Sequence, residues 1–385
     1  MNFVESEERR ELRKVVAELG RKYGYQWFNQ QARTGGYTTE LWLEAGKLGY
    51  LGVNLPEQYG GGGGGMADLS IVLEELGAAG CPLLMMVVSP SICGTVISRF
   101  GTDDQKQRWL PGLADGTTIM AFAITEPDAG SNSHQITTTA RRTDDGWSLT
   151  GRKVFISGLD VAKAVLVVGR TEDARTGKLK PALFIVPTDA PGVEFQQIEM
   201  DLISPDKQYN LFLDDVQLPR EALVGSEDAA LMQLFAGLNP ERIMASAFAL
   251  GIARHALDKA TAYVKERQVW KHPIGAHQGI AHPLAQVKIE LELARLMMQK
   301  AAALYDAGED LAAGEAANMA KYAAGEVAVR ATDQAVQSLG GNGMTVEYGV
   351  ASLVAAARAT RIAPVSREMI LNFVAQHSLG LPKSY

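Results

Sequence analysis

The sequence has few cysteines, no long apolar run and no signal-like start. Cys81 and Cys93 stand twelve positions apart without CxxC spacing, which argues against a disulfide framework and fits a reducing compartment. No run of about 18 apolar residues is present that could span a bilayer. The opening "MNFVESEERRELRKVV" is acidic and amphipathic, unlike a signal or transit peptide. We therefore expect a cytoplasmic protein without a membrane span.

The chain also lacks a strong excess of one charge. It carries 37 basic and 44 acidic residues, for a net charge of −7. This mild balance argues against a broad face for nucleic acid or anionic lipid. A hydrophobic fraction of 46% with 21% charged residues is typical of globular proteins, and a length of 385 residues predicts two or three domains.

The spacing of apolar residues divides the chain into three regions. Residues 1–118 show helical spacing, for example in "ERRELRKVVAELGRKYG" and "ADLSIVLEELGAAG". Residues 119–225 contain short β-branched or aromatic runs separated by turn residues, which predict a small sandwich or barrel. Residues 226–385 return to long Ala-rich helical segments, as in a bundle. The predicted fold class is α+β multidomain: a helical domain, a small β-domain and a helical bundle.

Two conspicuous patterns carry little functional information. The run Gly60 to Gly65 satisfies almost any glycine motif, but no strand precedes it and no Lys-Ser/Thr follows it, so we expect a flexible surface loop rather than a phosphate loop. His272, His277 and His282 stand five apart, and Pro273 and Pro283 directly follow the first and the last of them. That spacing does not place them on one helix face, and we expect no metal site.

The stretch "NPERIMAS", residues 239–246, allows two interpretations. Asn239 is a good N-cap, Pro240 suits the first helical position, and Glu241 in the first turn would complement the helix dipole. Local physics therefore predicts that a helix begins here and that Glu241 has a capping role. The other interpretation makes Glu241 a chemical group, and it depends on the rest of the chain.

Four motifs in order carry a more specific signal: "AFAITEPDAGSN" (121–132), "GRKVFISG" (151–158), "RQVWKHPIGAHQ" (267–278) and "AVQSLGGNG" (335–343). Together, on a helix–strand–helix pattern, they resemble the acyl-CoA dehydrogenase family, from about residue 4 to residue 381. The resemblance implies an N-terminal helical domain, a middle β-domain and a C-terminal four-helix bundle. It also implies FAD between the β-domain and the bundle, completed by a neighbouring subunit.

The resemblance assigns residues by motif. In the β-domain, the Ser157 hydroxyl would lie near flavin N5, where a threonine is common; in the bundle, Trp270-Lys271 departs from the usual Phe-Gly. The implied FAD contacts are Phe122, Ile124, Thr125, Gly130, Ser131, Phe155, Ser157, Arg267, Trp270, Gln278, Gln337, Gly340, Gly341, Ser366 and Glu368. The implied substrate contacts are Ser131, Asn239 and Arg242.

The implied chemistry requires one carboxylate base. The family removes an α-proton from an acyl-CoA thioester and passes a β-hydride to flavin N5, so a desolvated base must reach Cα. Most members carry this Glu near the C-terminus, where the matching position here is Pro364. The isovaleryl and long-chain types instead carry it in a Leu-x-x-Glu-Arg stretch, which "LNPER" (238–242) matches. The resemblance therefore implies Glu241 as the base, with Glu368 next to test.

Further expectations follow from the resemblance alone. They are an electron-transfer flavoprotein as electron acceptor and a homodimer or homotetramer. Two alternatives stay open: a non-catalytic subunit of a mixed oligomer, which Pro364 favours, and a flavin-dependent acyl oxidase. The sequence does not determine the length or branching of the acyl chain.

Overall fold

Helices occupy both ends of the chain and strands its middle, as the change in apolar spacing predicts. The computed structural model describes residues 4–173, 176–226 and 230–383. The N-terminal helices are α1 Glu7–Thr34, α2 Thr39–Lys47, α3 Met66–Ala78, α4 Thr95–Phe100 and α5 Asp103–Asp115. The C-terminal helices are α6 Ala230–Glu266, α7 Gln278–Asp306, α8 Asp310–Leu339, α9 Ser352–Ala359 and α10 Arg367–Phe373. The three-part fold is confirmed, although α9 and α10 are much shorter than α6, α7 and α8.

The middle region forms one seven-stranded sheet. Its strands are β1 Met120–Ala123, β2 Thr139–Arg142, β3 Gly146–Ser157, β4 Ala164–Glu172, β5 Leu179–Pro187, β6 Val193–Ile198 and β7 Gln208–Pro219. The order is β1-β4-β2-β3-β7-β6, with β5 also paired to β4. The β1–β4 pair is parallel and β3–β7 is antiparallel. This sheet places the ends of β1 and β3, which carry two of the motifs, beside each other.

A π-helical segment, Val87–Gly94, connects the N-terminal helices to the sheet. It contains Pro90, and it packs against both β1 and α6. The Ser89 hydroxyl accepts a hydrogen bond from the Met120 N–H at 3.0 Å, and the Cys93 thiol donates to the Ala121 carbonyl at 3.4 Å. Both cysteines are buried and free. Sequence periodicity did not predict this segment.

A buried charge network joins the N-terminal helices to the bundle. Glu74 of α3 is fully buried and pairs with Arg13 at 3.0 Å, Arg254 at 2.9 Å and Arg295 at 3.2 Å. Next to it, α3 and α6 touch through backbone at Gly77 and Gly251, where an added Cβ on Gly251 would lie 2.8 Å from the Gly77 Cα. Larger residues would separate these helices, so the glycines set the close crossing.

The glycine-rich loop is not a phosphate site. Its N–H groups bond within the protein, for example Gly62 to the Gly52 carbonyl at 2.9 Å. The following N-terminus of α3 is occupied by the Asp306 carboxylate, which accepts from the Met66 and Ala67 N–H groups at 2.7 and 3.0 Å. A protein carboxylate already satisfies the donors that an anion would use.

Within the described part of the chain, no helix is both long and apolar enough to cross a membrane.

Candidate functional site

The ends of β1 and β3 bring the first two motifs together. The Val154 N–H donates to the Thr125 carbonyl at 3.0 Å, so Ile124 and Thr125 run alongside the residues before Ser157. Phe155 has a φ of 58° and is 58% exposed, an unusual conformation for an aromatic residue. An exposed ring held in a strained backbone beside hydroxyls offers a flat surface for a planar ligand. Phe122 is buried, while Gly130 and Ser131 lie exposed on the following turn.

A buried ion pair fixes this arrangement. Lys153 is fully buried, and its Nζ donates to the Ile124 carbonyl at 3.0 Å and to Glu126 Oε1 at 2.9 Å. Glu126 also accepts from the N–H and hydroxyl groups of Thr137 and Thr138 at 2.6–2.9 Å. Burial raises the pKa of Glu126, but these bonds hold it at about 2. The pair ties the turn after β1 to the strand that carries Phe155 and Ser157.

Glu241 lies inside a helix, not at its start. The structure describes α6 from Ala230, so Asn239, Pro240 and Glu241 are internal, and the helix-start prediction is wrong. The helix dipole therefore gives no first-turn stabilisation to the Glu241 carboxylate, because that effect decays within one turn.

A tyrosine compensates for the internal proline. A proline removes the N–H that would bond to the carbonyl four residues earlier, here that of Ala236. That carbonyl instead accepts from the Tyr305 hydroxyl at 3.1 Å. Asn239 does not cap the helix; its Nδ2 donates to the Asp310 carbonyl at 3.0 Å. These contacts from α7 and the start of α8 allow the helix to continue through "NPER".

The surroundings of Glu241 suit a base. Its surface is partly accessible, although protein atoms surround its carboxylate closely. Burial raises its pKa to about 7, against the opposing effects of Arg242 and Lys321. The Cys93 thiol faces the same carboxylate, and burial and this neighbour raise the pKa of Cys93. Because Cys93 bonds to Ala121, this chain of contacts connects Glu241 to β1.

The C-terminal segment approaches the same place. Lys321 of α8 donates a hydrogen bond to the Val365 carbonyl, directly after Pro364. Lys321 also interacts electrostatically with Glu241. Lys321 therefore bonds to the main chain beside Pro364, the position of the base in most family members, and interacts with Glu241, the alternative base. Ser366 caps α10 by accepting from the Met369 N–H at 3.3 Å, and the Glu368 side chain is 75% exposed. Glu368 is not desolvated as Glu241 is.

Arg242 and Asn239 differ in their capacity to bind a ligand. The Asn239 amide is occupied, because its Oδ1 also accepts from Arg242 Nη1 at 3.3 Å. Arg242 lies deep, and burial lowers its pKa. Its Nε is buried without a hydrogen-bond partner in the described part of the chain. A buried donor without a partner is costly, so Arg242 keeps unused hydrogen-bonding capacity, whereas Asn239 mainly orients Arg242.

The third and fourth motifs lie at the other end of the bundle. A two-stranded hairpin, β8 Gln268–Val269 and β9 His272–Pro273, turns at Trp270, which is 85% exposed with a φ of 48°. Asn342, after α8, donates to the Tyr263 hydroxyl at 3.1 Å, which brings the two motifs together. The site predictions here are all exposed: Arg267, Trp270, Gln278, Gln337, Gly340 and Gly341. An added Cβ on Gly340 or Gly341 would meet nothing within 4 Å.

Within one chain, the third and fourth motifs lie far from Glu241. Arg267 follows Glu241 by 26 positions along α6, a rise of about 39 Å at 1.5 Å per residue. A recess of about 810 Å³ opens beside the hairpin, between α6 and α7, and it is lined by Leu257, Thr261, Pro273 and Leu284 but not by Glu241. The exposed motif therefore faces away from the carboxylate of its own chain.

Several residues of the site were absent from the sequence predictions. Glu126 and Lys153 lie within the quoted motifs. Each is a charged residue among apolar neighbours near a predicted strand, and this pattern could have indicated a buried ion pair. Gln208, which donates to the Ser157 hydroxyl at 2.9 Å, comes from β7 and has no local signature. Lys321 stands in an Ala-rich helix whose buried face the sequence does not reveal.

Comparisons with known proteins agree with this architecture. Family profiles for the acyl-CoA dehydrogenase N-terminal, middle and C-terminal domains match residues 6–117, 121–216 and 232–379. The chain is 67% identical over 384 residues to acyl-CoA dehydrogenase FadE12 of Mycobacterium tuberculosis, covering 100% of this chain and 99% of that protein.

Solved structures agree as well. A glutaryl-coenzyme A dehydrogenase in complex with glutaryl-CoA matches with a TM-score of 0.94 and 30% identity, over 100% of this chain and 98% of that one. A glutaryl-CoA dehydrogenase of Mycobacterium smegmatis in complex with FADH2 matches with a TM-score of 0.90 and 28% identity, over 99% and 96%. FAD as cofactor is thereby confirmed at the level of the family. With three matching domains in the predicted order, the chain belongs to the acyl-CoA dehydrogenase family.

Proposed function

We propose that this enzyme desaturates an acyl-CoA thioester between Cα and Cβ, with Glu241 as the base that takes the α-proton. The observation that supports this most directly is that protein atoms closely surround the partly accessible Glu241, and this burial raises its pKa to about 7. A base with a pKa near the working pH is both ionised and basic enough to accept a proton. Glu368, the other candidate, is exposed.

The remaining roles follow from the placement of the residues. The turn after β1, with Phe155 and Ser157, fits one end of FAD, which supplies the acceptor for the β-hydride equivalent when it is bound. Arg242, with its free buried Nε, would hold an oxygen of the thioester arm. A positive charge held there stabilises negative charge that develops on the acyl group as its α-proton leaves.

The oligomer belongs to the proposal. The exposed hairpin and the end of α8 lie about 39 Å along α6 from Glu241, so they suit the pyrophosphate and adenosine part of FAD in a neighbouring subunit. Ile289, Leu293 and Leu296 form an exposed apolar stripe on α7, 61%, 62% and 46% exposed, at helical spacing. An apolar stripe of this kind supports contact between subunits. We propose a homodimer or homotetramer that passes electrons to an electron-transfer flavoprotein in the cytoplasm.

Anaerobic flavin bleaching tests the base. Glu241→Gln should retain FAD and its yellow colour, yet lose bleaching by a panel of acyl-CoA thioesters by at least about a hundredfold, since general-base catalysis supplies 10²–10⁴-fold. Glu368→Gln tests the other candidate base, and Glu18→Gln, at an exposed position of α1, is the matched control and should bleach at the normal rate. Normal bleaching by Glu241→Gln would move the base elsewhere.

The same preparation separates the alternatives. A protein purified alone without flavin or turnover would favour a non-catalytic subunit. Peroxide formed in air without an added acceptor would favour an oxidase.

A further inference from the structure

Lys321 is an unusual residue in the bundle. It stands in the middle of α8 and is only 2% exposed, although lysine is rarely buried without a partner. Burial lowers its pKa to about 8, against the opposing effect of Glu241. No motif of the sequence includes it.

The packing of α6 against α8 brings Lys321 towards the level of Glu241. Asn239 bonds to Asp310, and Tyr263 bonds to Asn342, so the two helices run in the same direction. Lys321 lies about 10 Å along α8 beyond Gly314, which packs beside Asn239. Side chains tilt towards the helix N-terminus, so the long Lys321 side chain extends back towards Glu241.

The groups that influence Glu241 come from different elements of the fold, and Lys321 is the one that α8 contributes. Arg242 on the same helix is held by Asn239, and Cys93 faces Glu241 from the π-helical segment. Lys321 comes from α8, and Glu241 and Arg242 influence its charge more than the acids Glu368 and Glu326 do.

The ammonium group of Lys321 has spare hydrogen-bonding capacity. It has three donors, and among the described residues its one recorded hydrogen bond is to the Val365 carbonyl. This bond fixes the main chain beside Pro364. The buried positive charge remains available to a neighbouring carboxylate.

We propose that Lys321 is a positioning residue for the reaction: its buried ammonium favours the ionised form of Glu241 and anchors the main chain at Val365 beside the same site. The inference rests on the proposed function of Glu241. Arg242 is the larger counter-charge, and loss of the Lys321 charge would shift Glu241 further towards its protonated form, which cannot accept the α-proton.

Variants at Lys321 separate the effect of its charge from the effect of its hydrogen bond to the Val365 carbonyl. Lys321→Gln keeps a donor for the Val365 carbonyl but removes the charge, Lys321→Met removes both, and Lys321→Arg keeps the charge. In the FAD-loaded enzyme, we expect Gln and Met to move the acidic limb of the kcat/KM–pH profile upward by about one pH unit, the effect of losing one nearby opposite charge. Arg should stay near the wild-type midpoint. Lys14→Gln, the same change on an exposed side chain of α1, should leave the profile unmoved.

Thermal unfolding gives a readout that does not need turnover. If Lys321 stabilises ionised Glu241, the gain in Tm at pH 8 from Glu241→Gln should be larger in a Lys321→Gln background than in the wild type. An unchanged gain, or a wild-type pH midpoint in Lys321→Gln, overturns the inference even if the variant is less stable. If Glu241→Gln is inactive but the gain in Tm or the pH midpoint is unchanged by Lys321→Gln, this inference alone is wrong. If Glu241→Gln is active, both the proposed function and this inference are wrong.

Discussion

At the residue scale, two glutamates in the C-terminal region differ by environment rather than by chemistry. Glu241 lies deep with its pKa raised to about 7, and Glu368 is 75% exposed. If folding raises the pKa of a group, the folded protein binds more protons than the unfolded chain at pH values between the ordinary pKa and the raised pKa. Its contribution to stability is present at pH values below its ordinary 4.5 and is lost as the pH rises through about 7.

The pH dependence of stability follows from this difference. Glu241→Gln removes the cost of a buried charge, so its Tm relative to the wild type should be higher at pH 8 than at pH 5. Thermal unfolding of the FAD-loaded variant and the FAD-loaded wild type across this range checks the prediction. Parallel curves for Glu241→Gln and the wild type would contradict the burial of this carboxylate.

The sequence predicted the role of a site residue only where that residue belongs to a recognisable motif. "LNPER" and Pro364 together indicated Glu241, and the structure shows this carboxylate closely surrounded by protein atoms. Lys321 had no such signal, because it stands in an Ala-rich helix whose buried face the sequence does not reveal. Only the packing of α8 against α6 shows which face is buried.

At the element scale, the turn after β1 depends on one ion pair. Lys153 connects the Ile124 carbonyl to Glu126, and Glu126 holds the two threonines that begin the return of the chain. Removing one partner of a buried pair leaves an unpaired charge or carbonyl, which costs several kcal/mol. The turn and the flavin motif on β3 would then move independently.

Substitution of the lysine tests this connection. Lys153→Met should weaken FAD binding by roughly tenfold or more, since even 1.4 kcal/mol of lost preorganisation corresponds to a factor of ten. Quenching of FAD fluorescence during titration of the apoprotein measures the affinity. Lys163→Met, at an exposed position of the same sheet region, is the control. Equal affinities in the two variants would show that the pair has no role in cofactor binding.

The position of the sheet within residues 119–225 was predicted, whereas the helix start at "NPER" was not correct. The turn "TDDGW" between β2 and β3 is closed by a bond from the Thr143 N–H to the Gly146 carbonyl at 3.0 Å. "NPER" was misread as a helix start because the pattern Asn-Pro-Glu is typical of one. The deciding contact, from the Tyr305 hydroxyl to the Ala236 carbonyl, comes from a residue more than sixty positions away. Local propensity cannot include such a partner.

At the scale of the whole molecule, the order of the three regions was predictable from apolar spacing, whereas a site completed by a neighbouring subunit was implied only by the family resemblance. The exposed hairpin with Arg267 and the buried Glu241 lie far apart in one chain. If each flavin needs Glu241 from one subunit and Arg267 from another, two inactive variants can restore each other.

Mixed oligomers test this arrangement. Glu241→Gln and Arg267→Ala, each inactive alone, are co-expressed with different tags and purified as pairs. Each mixed pair should contain one intact site, giving about half of the wild-type activity per pair. Pairs of two differently tagged Glu241→Gln chains serve as the control. Complete inactivity of the mixed pairs would place Arg267 at the flavin of its own subunit.

The bond from Lys321 reaches a main-chain oxygen of Val365, not a side chain. Any amino acid provides that oxygen, so the bond constrains where the main chain after α9 runs but not which side chain stands at position 365. Substitution of Val365 should therefore leave the connection to α8 intact, so the side chains of this segment can change while its main chain keeps its place.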